Sequence, residues 1–154
     1  MCPISHYRLR FLTREASNAT RAVAILISPD GKIAANATFN QLNVKEKSWL
    51  QVSFDHWCVN REWIPKRYHG WTGSEFDGKY KRCFVFKGNA KQRKLRLYGF
   101  LCHPKESNPR FELCILVHPS YKEGDETYEP DLEKTKEISL MPEVKQIYMN
   151  LFRG

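Results

Sequence analysis

Hydrophobic and polar positions alternate with a strand period over His6-Tyr7-Arg8-Leu9-Arg10-Phe11-Leu12, placing Tyr7, Leu9 and Phe11 on one face. The next stretch admits two readings. Thr13 caps a helix bearing Ala16, Ala19, Val23 and Ile27, or Ala22–Ile27 alone forms a buried strand. Pro29-Asp30-Gly31 is a turn in either case. Asn43 followed by Glu46 three residues on makes a capping box, with Asn in place of Ser or Thr. Leu50, Phe54, Trp57 and Cys58 then fall at i, i+4, i+7 and i+8, which predicts an amphipathic helix over 44–58. Residues 60–78 hold Pro65, Gly70, Gly73 and Gly78 among Trp63, Tyr68 and Trp71, an irregular but packed aromatic segment.

Three strand patterns follow. Tyr80 to Lys87 is the first, ending at Gly88-Asn89, a turn-favouring pair. In the second, Lys94 to Cys102, Arg96, Tyr98 and Phe100 share one face while Leu95, Leu97 and Leu101 share the other. After a loop at Pro104–Pro109, Phe111 to His118 is almost continuously apolar, as a central strand should be. Pro130 suits the first turn of a helix carrying Leu132, Thr135 and Ile138. Pro142 opens a last helix with Val144, Ile147, Tyr148, Leu151 and Phe152 at i, i+3, i+4, i+7 and i+8. Strand, helices, three-strand meander and helices make an α+β fold, and with no repeat or linker in view the chain reads as one domain, 1–154.

Charge adds a partner to this outline. The 154 residues carry a net +8, distributed as +3 over 1–60, +9 over 61–110 and −4 over 111–154. So dense a central block suits a polyanion, since each neutralised phosphate releases condensed counterions; a solvated basic face is the bland alternative. The longest apolar run, Ala22–Ile27, has six residues, far short of the roughly 20 of a membrane helix. The N-terminus lacks a signal-peptide layout, and five cysteines without regular spacing do not form a secreted disulfide framework. The expectation is a cytoplasmic protein without a membrane partner.

Familiar catalytic motifs are missing: no phosphate-binding glycine loop, zinc-protease helix motif or serine nucleophile elbow occurs. Cys102-His103 and Cys114…His118 could suggest a metal, but there is no CxxC, and strand alternation sends Cys102 and His103 to opposite faces. Structural cysteines, with neither metal nor cofactor, are the reading. The meander does interleave cations with tyrosines: Tyr80, Lys81, Arg82, Lys94, Arg96 and Tyr98. Alternate residues of such a face could hold phosphates while rings stack on bases. Equally, Tyr98 and Phe100 could be core and Arg96 a surface residue. Lys79, Lys81, Lys87, Lys91, Arg93 and Lys94 are the candidate nucleic-acid contacts.

The runs GKYKRCFVFKG, KLRLYGFL and FELCILVH, then Tyr121-Lys122…Thr127 and the helix from Pro130, resemble the RelE/HigB toxin superfamily, especially its phage-derived HigB-like branch. The resemblance spans roughly residues 79–140, with 1–78 divergent and 141–154 a C-terminal helix. It implies a RelE-like twisted antiparallel sheet with helices packed on one face. It implies also a metal-independent endoribonuclease, cutting RNA, including ribosome-bound mRNA, and paired with a cognate antitoxin protein. In that chemistry the RNA 2′-hydroxyl attacks the adjacent phosphate while basic and aromatic groups position it and move protons. By strand position Arg82 and Arg96 would stabilise the phosphate, and Tyr98 would stack or relay a proton. His118 and Lys122 fall where that branch places basic residues, with His118 the best neutral-pH acid/base candidate and Tyr128 a second one. The alternative is a non-catalytic nucleic-acid-binding or protein-interaction module on the same sheet.

Overall fold

A computed structural model describes residues 7–13, 20–59, 64–104, 108, 110–124 and 127–151. Its strands are β1 (Arg8–Phe11), β2 (Arg21–Ile27), β3 (Tyr68–Gly70), β4 (Cys83–Ala90), β5 (Arg93–Cys102) and β6 (Glu112–Lys122). Its α-helices are α1 (Ala35–Asn40), α2 (Val44–Val59), α3 (Glu129–Ser139) and α4 (Pro142–Asn150). The six strands form one sheet in the order β1-β2-β6-β5-β4-β3. The expected α+β class is therefore present. The roles expected of His6, Ala16, Ala19, Trp63, Pro109 and Phe152 lie outside the described residues.

Two features differ from the expected sheet. It is mixed rather than antiparallel, because β2 runs parallel to β6. It is also covered by helices on both faces, not one. On one face α1 and α2 lay Phe39, Leu50, Phe54 and Trp57 against Val23, Ile25, Phe84, Phe86, Leu95, Leu97 and Leu116. On the other, Leu132, Ile138 and Val144 from α3 and α4 meet Val85, Tyr98, Phe100, Leu113, Ile115 and Val117. The reason lies in β2 and β6 themselves: Ala22 to Leu26 and Leu113 to Val117 are buried without a break, so neither face of these strands could be left wet.

Local chemistry fixes the elements. Of the two readings of 13–27, the strand is the one formed over the described residues, and Val23 N–H donates to the Thr13 hydroxyl (3.0 Å) rather than Thr13 capping a helix. The capping box exists in both halves: Glu46 N–H donates to Asn43 Oδ1 (2.8 Å) and Asn43 N–H to Glu46 Oε1 (2.9 Å). The other Glu46 oxygen accepts from Lys91 N–H (2.8 Å), tying the β4–β5 hairpin to the start of α2. These backbone donors hold the Glu46 carboxyl below its usual range.

That hairpin turns later than its sequence suggests. Pairing runs to Ala90↔Arg93, and the turn is Lys91-Gln92, both at positive φ (51° and 65°), a type I′ geometry. Gly88 is instead a packing position, where a Cβ would sit 3.1 Å from a Leu50 methyl of α2. A tighter constraint lies at Gly99. Tyr98 pairs with His118 but Gly99 pairs with Leu116, so Val117 is the extra residue of a β-bulge. A Cβ on Gly99 would lie 2.6 Å from the Ile115 carbonyl oxygen, a backbone atom with little freedom to move. Gly99→Ala should lower unfolding free energy by about 1–3 kcal/mol, read as a shifted urea midpoint. Gly88→Ala, which meets only a flexible leucine tip, should cost less.

Candidate functional site

Cross-strand register places the chemistry on the face that α3 covers. One row across the sheet reads His69, Val85, Tyr98, His118. The next reads Lys87, Arg96, Ser120, and the third Asn89, Lys94, Lys122. Rows two residues apart are separated by roughly 6.6 Å. Lys87 thus stands opposite Arg96, and Lys94 opposite Lys122, which gathers four cations at this end of the face.

The first turn of α3 closes over the first row. Asp131 Oδ1 lies 2.9 Å from His118 Nε2, with side chains 10% and 24% exposed. The other oxygen, Oδ2, is buried without a hydrogen-bond partner among the described residues. A buried carboxylate with one oxygen committed to an imidazole orients that ring: with Asp131 as the acceptor, Nε2–H donates to it. Beside the pair, Ser120, Lys122, Glu123, Tyr128 and Asp131 line an open cleft of about 710 Å³. Tyr128 stands 62% exposed at the N-terminal boundary of α3.

An aromatic chain underlies the site. His69 meets Trp71 edge-on (4.7 Å), Trp71 stacks on Tyr98 (6.1 Å, 22°), and Tyr98 lies 6.1 Å from His118. Lys122 Nζ is 5.9 Å from the Tyr98 ring centroid. Tyr98 itself is 1% exposed, so the expected stacking of a base on its ring is not available: Trp71 already occupies it. Burial, and then the Asp131 charge, push the Tyr98 hydroxyl pKa up.

Of the residues singled out by sequence, Lys122 and Tyr128 line this cleft, His118 stands beside it through its pairing with Asp131, and Arg96, Lys87 and Lys94 lie in the next rows of the same face. Arg82 does not: it precedes β4 at the opposite end of the strand, lining a different cleft with Lys79 and Lys81. Lys91 sits at the hairpin tip, and the Arg93 guanidinium packs over Tyr121 (4.6 Å) on the α2 side of the sheet. A Cys/His metal site is not assembled either; among the described residues no three His, Cys, Asp or Glu side chains come together as ligands. Burial pushes the Cys83 and Cys102 thiols up to about 12, as suits structural cysteines.

Sequence reasoning missed Asp131 and His69. Asp131 carried a signal, a carboxylate on the same stripe as Thr135 and Ile138 of an otherwise apolar helix face. His69 carried none beyond its aromatic neighbours. Comparison with protein-family models, characterised proteins and solved structures returned no match to the chain.

Burial first, then the charges of Lys87, Arg96 and Lys122, lower the His69 pKa from 6.5 to about 4. The unfolded chain therefore binds more protons than the folded one between these values. The stability contributed by the neutral ring is complete above pH 6.5 and lost as pH falls toward 4. Wild-type urea midpoints should fall more steeply over that window than those of His69→Gln. Parallel curves would show that His69 does not carry the effect.

Proposed function

We propose that the chain is a metal-independent endoribonuclease acting on RNA, with ribosome-bound mRNA in the cytoplasm as a substrate and an acidic antitoxin protein as its partner. Among the described residues no helix is long and apolar enough to cross a membrane. The observation that carries the reading is the His118–Asp131 pair opening beside a cleft lined by Lys122 and Tyr128, at the edge of cationic rows. Each part answers a requirement of RNA transesterification. His118 Nδ1 takes the proton of the 2′-hydroxyl, and the freed 2′-oxygen forms its bond to phosphorus. Arg96 and Lys122 stabilise the added negative charge on the non-bridging oxygens, with Lys87 and Lys94 holding flanking phosphates. The bond from phosphorus to the 5′-oxygen breaks, and Tyr128 gives that oxygen its proton. The products are a 2′,3′-cyclic phosphate and a 5′-hydroxyl. His118 returns its proton to Tyr128 through water, so the enzyme ends as it began. Because the nucleophile belongs to the substrate and protein cations balance the charge, the reaction has no need of a metal.

Purified protein should cleave single-stranded RNA in EDTA and leave cyclic phosphate ends. His118→Ala and Arg96→Ala should each slow cleavage by about 10²–10⁴-fold. Asp131→Asn should slow it less, and Arg82→Ala, at the far end of β4, should leave the rate unchanged. RNA binding without cleavage, even with ribosomes present, would identify a non-catalytic binding module instead.

A further inference from the structure

At the opposite end of α3 from His118 and Asp131, a second cleft of about 410 Å³ opens between the approach to β4 and the α3–α4 corner. Five cations line it: Lys79, Lys81, Arg82, Lys136 and Lys145. Among the described residues none of the five forms an ion pair. Glu129 and Glu133, which accept from the Tyr80 hydroxyl (2.7 and 3.4 Å), do not line the cleft. Apart from Tyr80 and Ser139, its remaining wall is apolar. Phe100 and Cys83 are buried, Tyr148 packs 5.8 Å from the Phe100 ring, and Leu140 and Met149 stand 55% and 51% exposed.

Five cations gathered in one cleft repel one another, and Leu140 and Met149 leave apolar surface in water. A ligand that relieves both is a compact polyanion with a flat apolar body. We propose that this cleft is a nucleotide-binding site, with the base against Leu140, Tyr148 and Met149 and the phosphates held by the cations around it. The volume falls in the range of small-ligand sites. A polyphosphate concentrates several charges within a few bonds, as the rim does. The carboxylates of an acidic peptide are spread along its backbone by ~3.3 Å per residue and would run out of a cleft this size. The site shares no residue with the proposed cleavage site. Asp131 and Ser139 are separated by roughly 12 Å along α3, so the inference stands whether or not the chain cuts RNA. The nucleotide can be free or belong to a nucleic-acid strand.

The full-length protein, with methyl groups isotope-labelled, is titrated with ATP, with inorganic tripolyphosphate and with a single-stranded 5′-phosphorylated 2′-deoxy oligonucleotide, which 2′-hydroxyl attack cannot cleave. ATP should shift the Leu140 and Met149 methyl resonances and bind about tenfold more tightly than tripolyphosphate, the margin expected from stacking one base. Arg82→Glu combined with Lys145→Glu, both at exposed positions, should weaken ATP binding by about tenfold or more. Lys122→Ala should leave it unchanged. Binding of ATP alone would identify the source as free nucleotide, and binding of both as nucleotides in either form. Tripolyphosphate binding as tightly as ATP would overturn the proposal, as would indifference to the double reversal. Methyl shifts produced by an oligoglutamate peptide and not by ATP or the oligonucleotide would overturn it too.

Discussion

Between Tyr98 and Gly99 the pairing of β5 with β6 slips by one residue, leaving Val117 without a partner. Before the slip, Leu113, Ile115 and Val117 face α3 and α4; beyond it, His118, Ser120 and Lys122 do, in the rows of Tyr98, Arg96 and Lys94. Strict alternation would have sent His118, Ser120 and Lys122 toward the α2 layer and put Pro119 and Tyr121 on the α3 face. The bulge thus converts one strand into an apolar half and a polar half on the same face. Gly99 permits it, because only a residue without a Cβ tolerates the Ile115 carbonyl at that distance. A backbone irregularity, not a side-chain motif, aims the candidate acid/base group at Asp131.

Element lengths then decide how much of the polar half is open. An eleven-residue strand such as β6 runs roughly 36 Å, whereas eleven residues of α3 cover roughly 16 Å. The helix begins over His118 and extends toward Cys83 and Phe100, so the rows of Lys87, Arg96 and Lys122 lie beyond its first turn. Asp131 occupies the boundary, paired with the half-buried His118 on one side and lining the open cleft on the other. His69, neutral at pH 7 because of burial and its cationic neighbours, adds no charge of its own to this end of the face.

Much of this was legible in the residues, and the reasons for the exceptions are physical. Periodicity located α2, α3, α4 and β5 because each buries a coherent stripe or has two distinct faces, and apolar runs located β4 and β6, which are buried on both faces over much of their length. The division of β5 into an Arg96–Tyr98–Phe100 face and a Leu95–Leu97–Leu101 face also appears in the fold, since β5 itself keeps strict alternation. Helices on both faces were implied by the unbroken apolar run of β2, but only if it was read as a strand paired with β6, a contact between segments some ninety positions apart. The late hairpin turn escaped because Lys91 and Gln92 are poor advertisements for positive φ, while Gly88-Asn89 is a good one. Gly88 is there for the closeness of Leu50, which no local pattern encodes.

The central basic block shows why charge read along a chain is not charge read in space. Lys79, Lys81 and Arg82 precede β4, whereas Lys87 and, across the hairpin, Lys94 and Arg96 lie near its other end. Five to seven residues of strand hold Arg82 roughly 17–23 Å from these groups, about two to three Debye lengths at physiological salt. What is one dense segment in sequence is two separate fields in the fold, each completed by residues from elsewhere. Lys122, His118 and Asp131 complete one, and Lys136 and Lys145 the other. The α3 helix contributes to both, with a carboxylate at its start and a cation near its end. Arg82 and Arg96, which sequence spacing would join in a single phosphate site, therefore belong to separate surfaces of the fold.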